Sequence, residues 1–171
     1  MISSVFIAMT LDGFIARPDG KFDFLDPYGN EDHGYSDFFK SIDALIIGRG
    51  TYDVVLAFPD WPYAGKRVVV LTSRVPATKR ANEEFFTGDA KQLHAKLKSE
   101  GVRRAYVDGG KVIQQFLDAD LIDDLTISVV PMRLGAGLPL FGTGTERTFK
   151  LTGAQPYDDG LVQLRYARKS A

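Results

Sequence analysis

The stretch Leu45-Ile46-Ile47-Gly48-Arg49-Gly50-Thr51-Tyr52 decides the fold, and Tyr106-Val107-Asp108-Gly109-Gly110-Lys111-Val112 repeats its logic. In each, a short apolar run that reads as a buried strand stops at glycine, and a segment with a helical apolar stripe follows at once. Strand, glycine corner and helix in that order are the building unit of an α/β fold. Outward from these corners the alternation continues. Strands are expected over 5–10, 44–47, 67–72, 84–87 and 104–108, and helices over 35–42, 51–57, 89–100 and 111–117. The segment 17–34, rich in Gly, Pro, Asp and Asn, reads as one long irregular loop of the kind that often carries function. After residue 117 the character changes. Strands are expected over 125–130, 148–152 and 161–168 with no helix between them, and Asp158-Asp159-Gly160 reads as a hairpin turn. The fold expected is therefore three-layer α/β: a mixed, mainly parallel eight-stranded sheet, about four flanking helices and antiparallel C-terminal strands.

Composition narrows the function. The chain has 171 residues, 44% hydrophobic and 25% charged, which suits one soluble domain spanning 1–171. Lys plus Arg number 21 and Asp plus Glu 22, a net charge of -1 that lacks the basic excess of a nucleic-acid binder. There is no cysteine, which excludes disulfides, thiolate metal sites and a cysteine nucleophile. Only two histidines are present, so a zinc hydrolase centre and indeed any metal site is not expected; His33 and His94 read as solvated rather than catalytic, although His33, in the long loop, could reach the cleft. No apolar run is long enough for a membrane span, and Met1-Ile2-Ser3-Ser4 lacks a basic leader, so a cytoplasmic setting is expected.

Both corners fall at carboxyl ends of strands, where ligands of open α/β sheets collect. Free amides and the dipole at a helix start favour an anion, and glycine admits it close to the backbone. Each corner alone is explained by an ordinary glycine turn. Two together, carrying Arg49 and Lys111, suggest a ligand with two or more phosphates. Thr72-Ser73-Arg74, ending the Val68-Val69-Val70-Leu71 run, could hold a further phosphate such as the 2′-phosphate of NADP, or could simply end a strand. No G-x-G-x-x-G or P-loop occurs, so neither a standard Rossmann domain nor a P-loop enzyme is expected.

The ordered set Ala8-Met9-Thr10-Leu11-Asp12-Gly13-Phe14-Ile15-Ala16, Ile47-Gly48-Arg49-Gly50-Thr51-Tyr52, Leu71-Thr72-Ser73-Arg74 and Asp108-Gly109-Gly110-Lys111-Val112 resembles the dihydrofolate reductase superfamily. It is most similar to the branch holding the C-terminal reductase domain of the riboflavin-biosynthesis deaminase/reductase, which the stretch 131–141 also resembles. The resemblance implies an NADPH-dependent reductase. In it Gly48, Arg49, Gly50 and Thr51 would hold phosphates, Gly109, Gly110, Lys111 and Val112 the pyrophosphate, and Thr72, Ser73 and Arg74 the adenosine ribose and its 2′-phosphate. Ala8 and Ile15 would flank the nicotinamide carboxamide.

Two departures bear on the substrate. Dihydrofolate reductases carry a carboxylate early in the helix read here over 35–42, for which Asp37, then Asp32, are candidates. Riboflavin-pathway reductases usually carry lysine after the first Asp-Gly, where this chain has Phe14. The expected chemistry is hydride transfer to a small heterocyclic or C=N/C=O substrate, with Asp12 as proton donor and Phe38 or Phe39 against the substrate. A nucleotide-binding protein that has lost catalysis is the alternative. A homodimer is expected, from the resemblance and from the frequency of that assembly.

Overall fold

The computed structural model describes residues 1–76, 79–80 and 83–169. Its strands and helices run in the order β1 (Ile2–Thr10), β2 (Phe14–Ala16), a 3-10 helix (Asp23–Tyr28), α1 (Tyr35–Ser41), β3 (Ala44–Gly48) and α2 (Arg49–Leu56). Then come β4 (Arg67–Leu71), β5 (Glu84–Phe86), α3 (Ala90–Ser99), β6 (Arg104–Asp108), α4 (Gly110–Asp118) and β7 (Asp124–Val130). Strands β8 (Leu138–Pro139), β9 (Phe149–Pro156) and β10 (Val162–Arg168) complete the order.

Eight strands form one sheet in the order β5-β4-β3-β6-β1-β7-β10-β9. Every pairing from β5 to β7 is parallel, and β10 and β9 join antiparallel. The mixed sheet expected from the sequence is therefore present. The inner strands are continuous apolar runs because both faces are covered. On one face Tyr52 and Val55 of α2 and the aromatic side chains of α1 pack on Leu45, Ile47, Val68, Val70 and Tyr106. On the other, Leu93 and Leu97 of α3 and Val112, Ile113 and Phe116 of α4 pack on Ala44, Ile46, Val69 and Val107.

The path of the chain matters for the site. From β3 the chain steps outward to β4, whereas from β6 it crosses β1 in the opposite direction to reach β7. Right-handed crossovers then put α2 and α4 on opposite faces. A crevice opens between the carboxyl ends of β3 and β6, at the point where the direction of winding reverses.

Several details differ from the sequence reading. Helix α2 starts at Arg49, two residues early, so Gly48 is its N-cap. Strand β9 continues to Pro156 rather than stopping at 152. The segment 17–34 holds the 3-10 helix, and β2 and β8 form a separate two-stranded sheet that the pattern did not show. His33 is not solvated: its side chain is 9% exposed, its Nε2 lies 2.9 Å from Asp159 Oδ2, and its ring meets Tyr157 edge-on. No helix among the described residues is long and apolar enough to cross a membrane.

Candidate active site

The two glycine corners lie side by side. Strands β3 and β6 pair in parallel with Ile47 opposite Asp108, so Gly48 and Gly109 leave the same rim of the sheet on adjacent strands. They approach so closely that only glycine fits. A Cβ on Gly48 would stand 2.9 Å from Val112 Cγ2, and one on Gly109 would stand 2.3 Å from Thr51 Oγ1. Gly109 also holds a φ of +91°, which side-chain-bearing residues rarely adopt. Each glycine makes room for the first turn of the helix that springs from the other corner.

The helix starts at these corners differ from that of α3. Asp89 caps α3 through a full capping box with Gln92. Neither α2 nor α4 has a side-chain cap, and neither carries an acid in its first turn. Uncapped helix starts leave amide donors turned outward with the positive end of the dipole behind them. In α4 the Val112 amide is already bonded to the Gly109 carbonyl at 3.0 Å. Val112, expected to help hold the pyrophosphate, is buried against Gly48 instead, and the donors of that turn are those of Gly110 and Lys111. Lys111 is exposed. Arg49 is fixed by Asp53 at 2.7 Å and by the Arg74 carbonyl at 3.0 Å, which ties the β3 corner to the end of β4. There Thr72 Oγ1 accepts from the Arg74 amide at 3.1 Å, turning Thr72-Ser73-Arg74 back over the rim with Ser73 and Arg74 exposed. The three groups thus follow one another along the rim, over β4, β3 and β6.

Strand β1 comes next in the row, and its end is built around Asp12. Thr10 Oγ1 donates to Asp12 Oδ1 at 2.7 Å, and the amides of Leu134 and Gly135 donate to its two oxygens at 3.0 and 2.7 Å. These bonds hold the carboxyl down at about 2. Asp12 therefore clamps the β1–β2 turn onto the 132–135 segment as an anion, a state opposed to the proton-donor role expected of it. The clamp has a purpose: β2 pairs with β8, and this small sheet leans on the start of α4. A Cβ on Gly110 would meet Ile15 Cδ1 and the Pro139 carbonyl, each at 3.1 Å. Ile15 thereby stands over the β6 corner, while Ala8 sits half-buried one strand away.

A carboxyl does occupy the crevice, and the sequence reading passed over it. Asp108 closes β6, with Tyr106 two residues before it on the same face. Burial among Tyr35, Tyr63 and Tyr106 pushes it up to about 6, against the pull of the Gly109 amide and the Tyr106 hydroxyl. The available signal was an acid at the last position of a strand, two residues after a tyrosine on the same face. By contrast, Asp32 accepts from the Ser36 amide at the start of α1, and Asp37 is 91% exposed and pairs with Lys40. Neither supplies the buried helix carboxylate. Phe38 packs at 5.0 Å from both Phe6 and Tyr106 and lines a cavity of 260 Å³ between α1 and the sheet. Phe39 instead stacks on Tyr35 outside that cavity, beneath Lys66.

Comparison with known proteins places the chain in a family. Residues 4–163 match the family described as the RibD C-terminal domain. The "Uncharacterized protein YwjB" of Bacillus subtilis is 37% identical, with 96% of each chain covered. The solved "Putative riboflavin biosynthesis protein" of Shewanella sp. PV-4 is 38% identical, with a TM-score of 0.91 over 99% of this chain and 100% of that one. Dihydrofolate reductase of Enterococcus faecalis, solved with NADP(H), shares the fold at 14% identity, with a TM-score of 0.73 over 99% of this chain and 97% of that one. The chain belongs to the RibD C-terminal domain family, on the fold of the dihydrofolate reductases.

Proposed function

We propose that this chain is an NADPH-dependent reductase acting on a C=N or C=O bond of a small heterocyclic substrate. The observation that carries the reading is the pair of uncapped helix starts, α2 and α4, abutting through Gly48 and Gly109 where the winding of the sheet reverses. The groups present fit a dinucleotide. Gly48, Arg49, Gly50 and Thr51 would meet phosphate at one corner and Gly109, Gly110 and Lys111 at the other; a Cβ on Gly50 would have nothing within 4 Å, so this part of the cradle is open. Thr72, Ser73 and Arg74 would meet the adenosine ribose, and the exposed Arg74 favours the 2′-phosphate form. Ala8 and Ile15 would face the nicotinamide end. The cofactor, when bound, supplies a hydride.

The remaining need is a proton. Asp108, held up near 6, keeps a proton much further toward neutrality than an ordinary carboxyl, and it lies at the carboxyl rim between the β3 corner and β1. In this reading it donates to the reduced atom, directly or through water, while Asp12 stays ionised and shapes the turn.

The test is a titration with NADPH and NADH followed by a screen of NADPH oxidation against dihydrofolate, the riboflavin-pathway pyrimidine and simple cyclic imines and ketones. Tight binding of NADPH with oxidation by at least one acceptor is expected. Binding without oxidation by any of them favours a nucleotide-binding protein, and failure to bind NADPH removes the reading.

A further inference from the structure

The loop before α1 and the turn between β9 and β10 bring together three side chains that can hold a metal ion: Glu31, His33 and Asp159. One ligand atom from each lies within 4.8 Å of the other two. His33 and Asp159 are 126 residues apart in the chain, so no motif spacing announces the cluster.

The imidazole at its centre is fixed from outside the cluster. The His33 side chain is 9% exposed, and its ring meets the ring of Tyr157 edge-on at 4.6 Å. Its carbonyl accepts from Nε2 of the buried Gln163 at 2.9 Å. The ring turns Nε2 toward Asp159 Oδ2 at 2.9 Å, with Glu31 Oε2 at 3.9 Å. Zinc-class ions hold nitrogen and oxygen at about 2.0–2.1 Å, so two ligands about a right angle apart are separated by about 2.9 Å. The longer distance closes by rotation of Glu31, whose side chain is 52% exposed. An ion on Nε2 sends the ring proton to Nδ1, which makes no hydrogen bond among the described residues.

Charge points the same way. Two carboxylates share one imidazole, and no lysine or arginine pairs with either among the described residues. Even a protonated ring leaves the cluster one positive charge short, whereas a divalent cation balances it.

We infer that Glu31, His33 and Asp159 bind a divalent transition-metal ion of the zinc class, which clasps the 17–34 loop to the β9–β10 hairpin. One imidazole nitrogen with two carboxylate oxygens suits such an ion, whereas magnesium and calcium prefer oxygen alone. His33 and Gly34 border the 260 Å³ cavity, and Gly34 is the N-cap of α1, so the clasp holds one wall of that cavity. The inference stands whether or not the chain is a reductase.

The test uses the untagged full chain, freed of metal by a chelator and titrated calorimetrically with zinc chloride and with magnesium chloride. Zinc binds once per chain at micromolar concentration or below and raises the thermal midpoint, and magnesium does neither. The chain has two histidines, so nitrogen-15 NMR resolves two imidazole rings; zinc shifts that of His33 and leaves that of His94. Glu31→Gln, at a half-exposed side chain, weakens zinc at least about tenfold, and His33→Gln abolishes binding. Glu146→Gln, at an exposed acid elsewhere, leaves it unchanged. If His33→Gln fails to fold, Glu31→Gln and the ring shift decide. No zinc binding at submillimolar concentration, a shift of the His94 ring in place of the His33 ring, or an affinity unchanged in Glu31→Gln overturns the inference.

Discussion

At the scale of single residues, two aspartates sit in opposite environments. Asp12 lies two residues beyond a strand and Asp108 is the last residue of one, and each precedes a glycine. What separates them is what packs around each: three donors for Asp12, and tyrosine rings for Asp108. Those neighbours come from residues 134–135 in one case and from Tyr35 and Tyr63 in the other, so the distinction lies in tertiary contacts. It has opposite consequences for pH. The Asp108 carboxyl binds its proton more tightly folded than unfolded, so its ionisation destabilises the protein fully above about pH 6 and not at all below its ordinary value of 3.8. Asp108→Asn should therefore raise stability at pH 7 by up to about 3 kcal/mol, with the gain vanishing near pH 4 in denaturant titrations. The same variant should lower turnover about a hundredfold or more and flatten the fall in kcat/KM above pH 6. Unchanged turnover would return the proton to another group. The Asp12 bonds, conversely, contribute stability above pH 3.8 that is lost as pH falls toward 2. Asp12→Asn should loosen the β1–β2 turn and weaken NADPH binding, leaving the fall in kcat/KM above pH 6 in place.

At the scale of elements, strand and helix were legible wherever a continuous apolar run or a 3.6-residue stripe existed. The Val68–Leu71 run and the Leu93/Leu97 pair are examples, both buried as read. Strands β2 and β8, three and two residues long, are too short for any period to register, and they exist because the Asp12 clamp brings Phe14–Ala16 against Leu138–Pro139. The glycine corners were legible as corners, but their mutual fit was not. Gly109→Ala sets a Cβ on a positive φ and against Thr51 Oγ1, two separable faults. The variant should lose more than about 1 kcal/mol by chemical denaturation, together with most NADPH affinity. Adding Thr51→Ala removes the collision and should restore part of the stability, the remainder being the cost of the backbone conformation. No recovery in the double variant would mean that the close approach of the corners is not what requires glycine. Asp89→Ala at the capped start of α3 is the natural comparison: a loss of about 1 kcal/mol with no change in cofactor affinity.

At the scale of the whole molecule, the change from strand–helix alternation to bare strands announced a mixed sheet, but no local pattern could announce that β6 inserts between β3 and β1. That insertion sets the two corners beside each other, and it also leaves the β7–β10–β9 wing short of cover. On the α4 side of the wing, Met9, Ile127, Leu164 and Tyr166 floor a cavity of 570 Å³ whose rim includes Phe141 and Phe149. Phe141 is 48% exposed, and Leu151 on the neighbouring strand is 52% exposed. An apolar surface of this kind on a folded chain marks an association face, and a self-complementary pairing about a two-fold axis is the simplest way to cover it. Sedimentation of the purified chain should therefore show a dimer. Leu151→Glu, on an exposed edge of that face, should shift it to monomer at micromolar concentration without changing its circular dichroism or its NADPH affinity, because the residues proposed to hold the cofactor lie over β4, β3, β6 and β1. A monomeric wild-type chain would leave the wing exposed for another reason. A dimer that survives both Leu151→Glu and Phe141→Glu would place the two-fold axis elsewhere on the molecule.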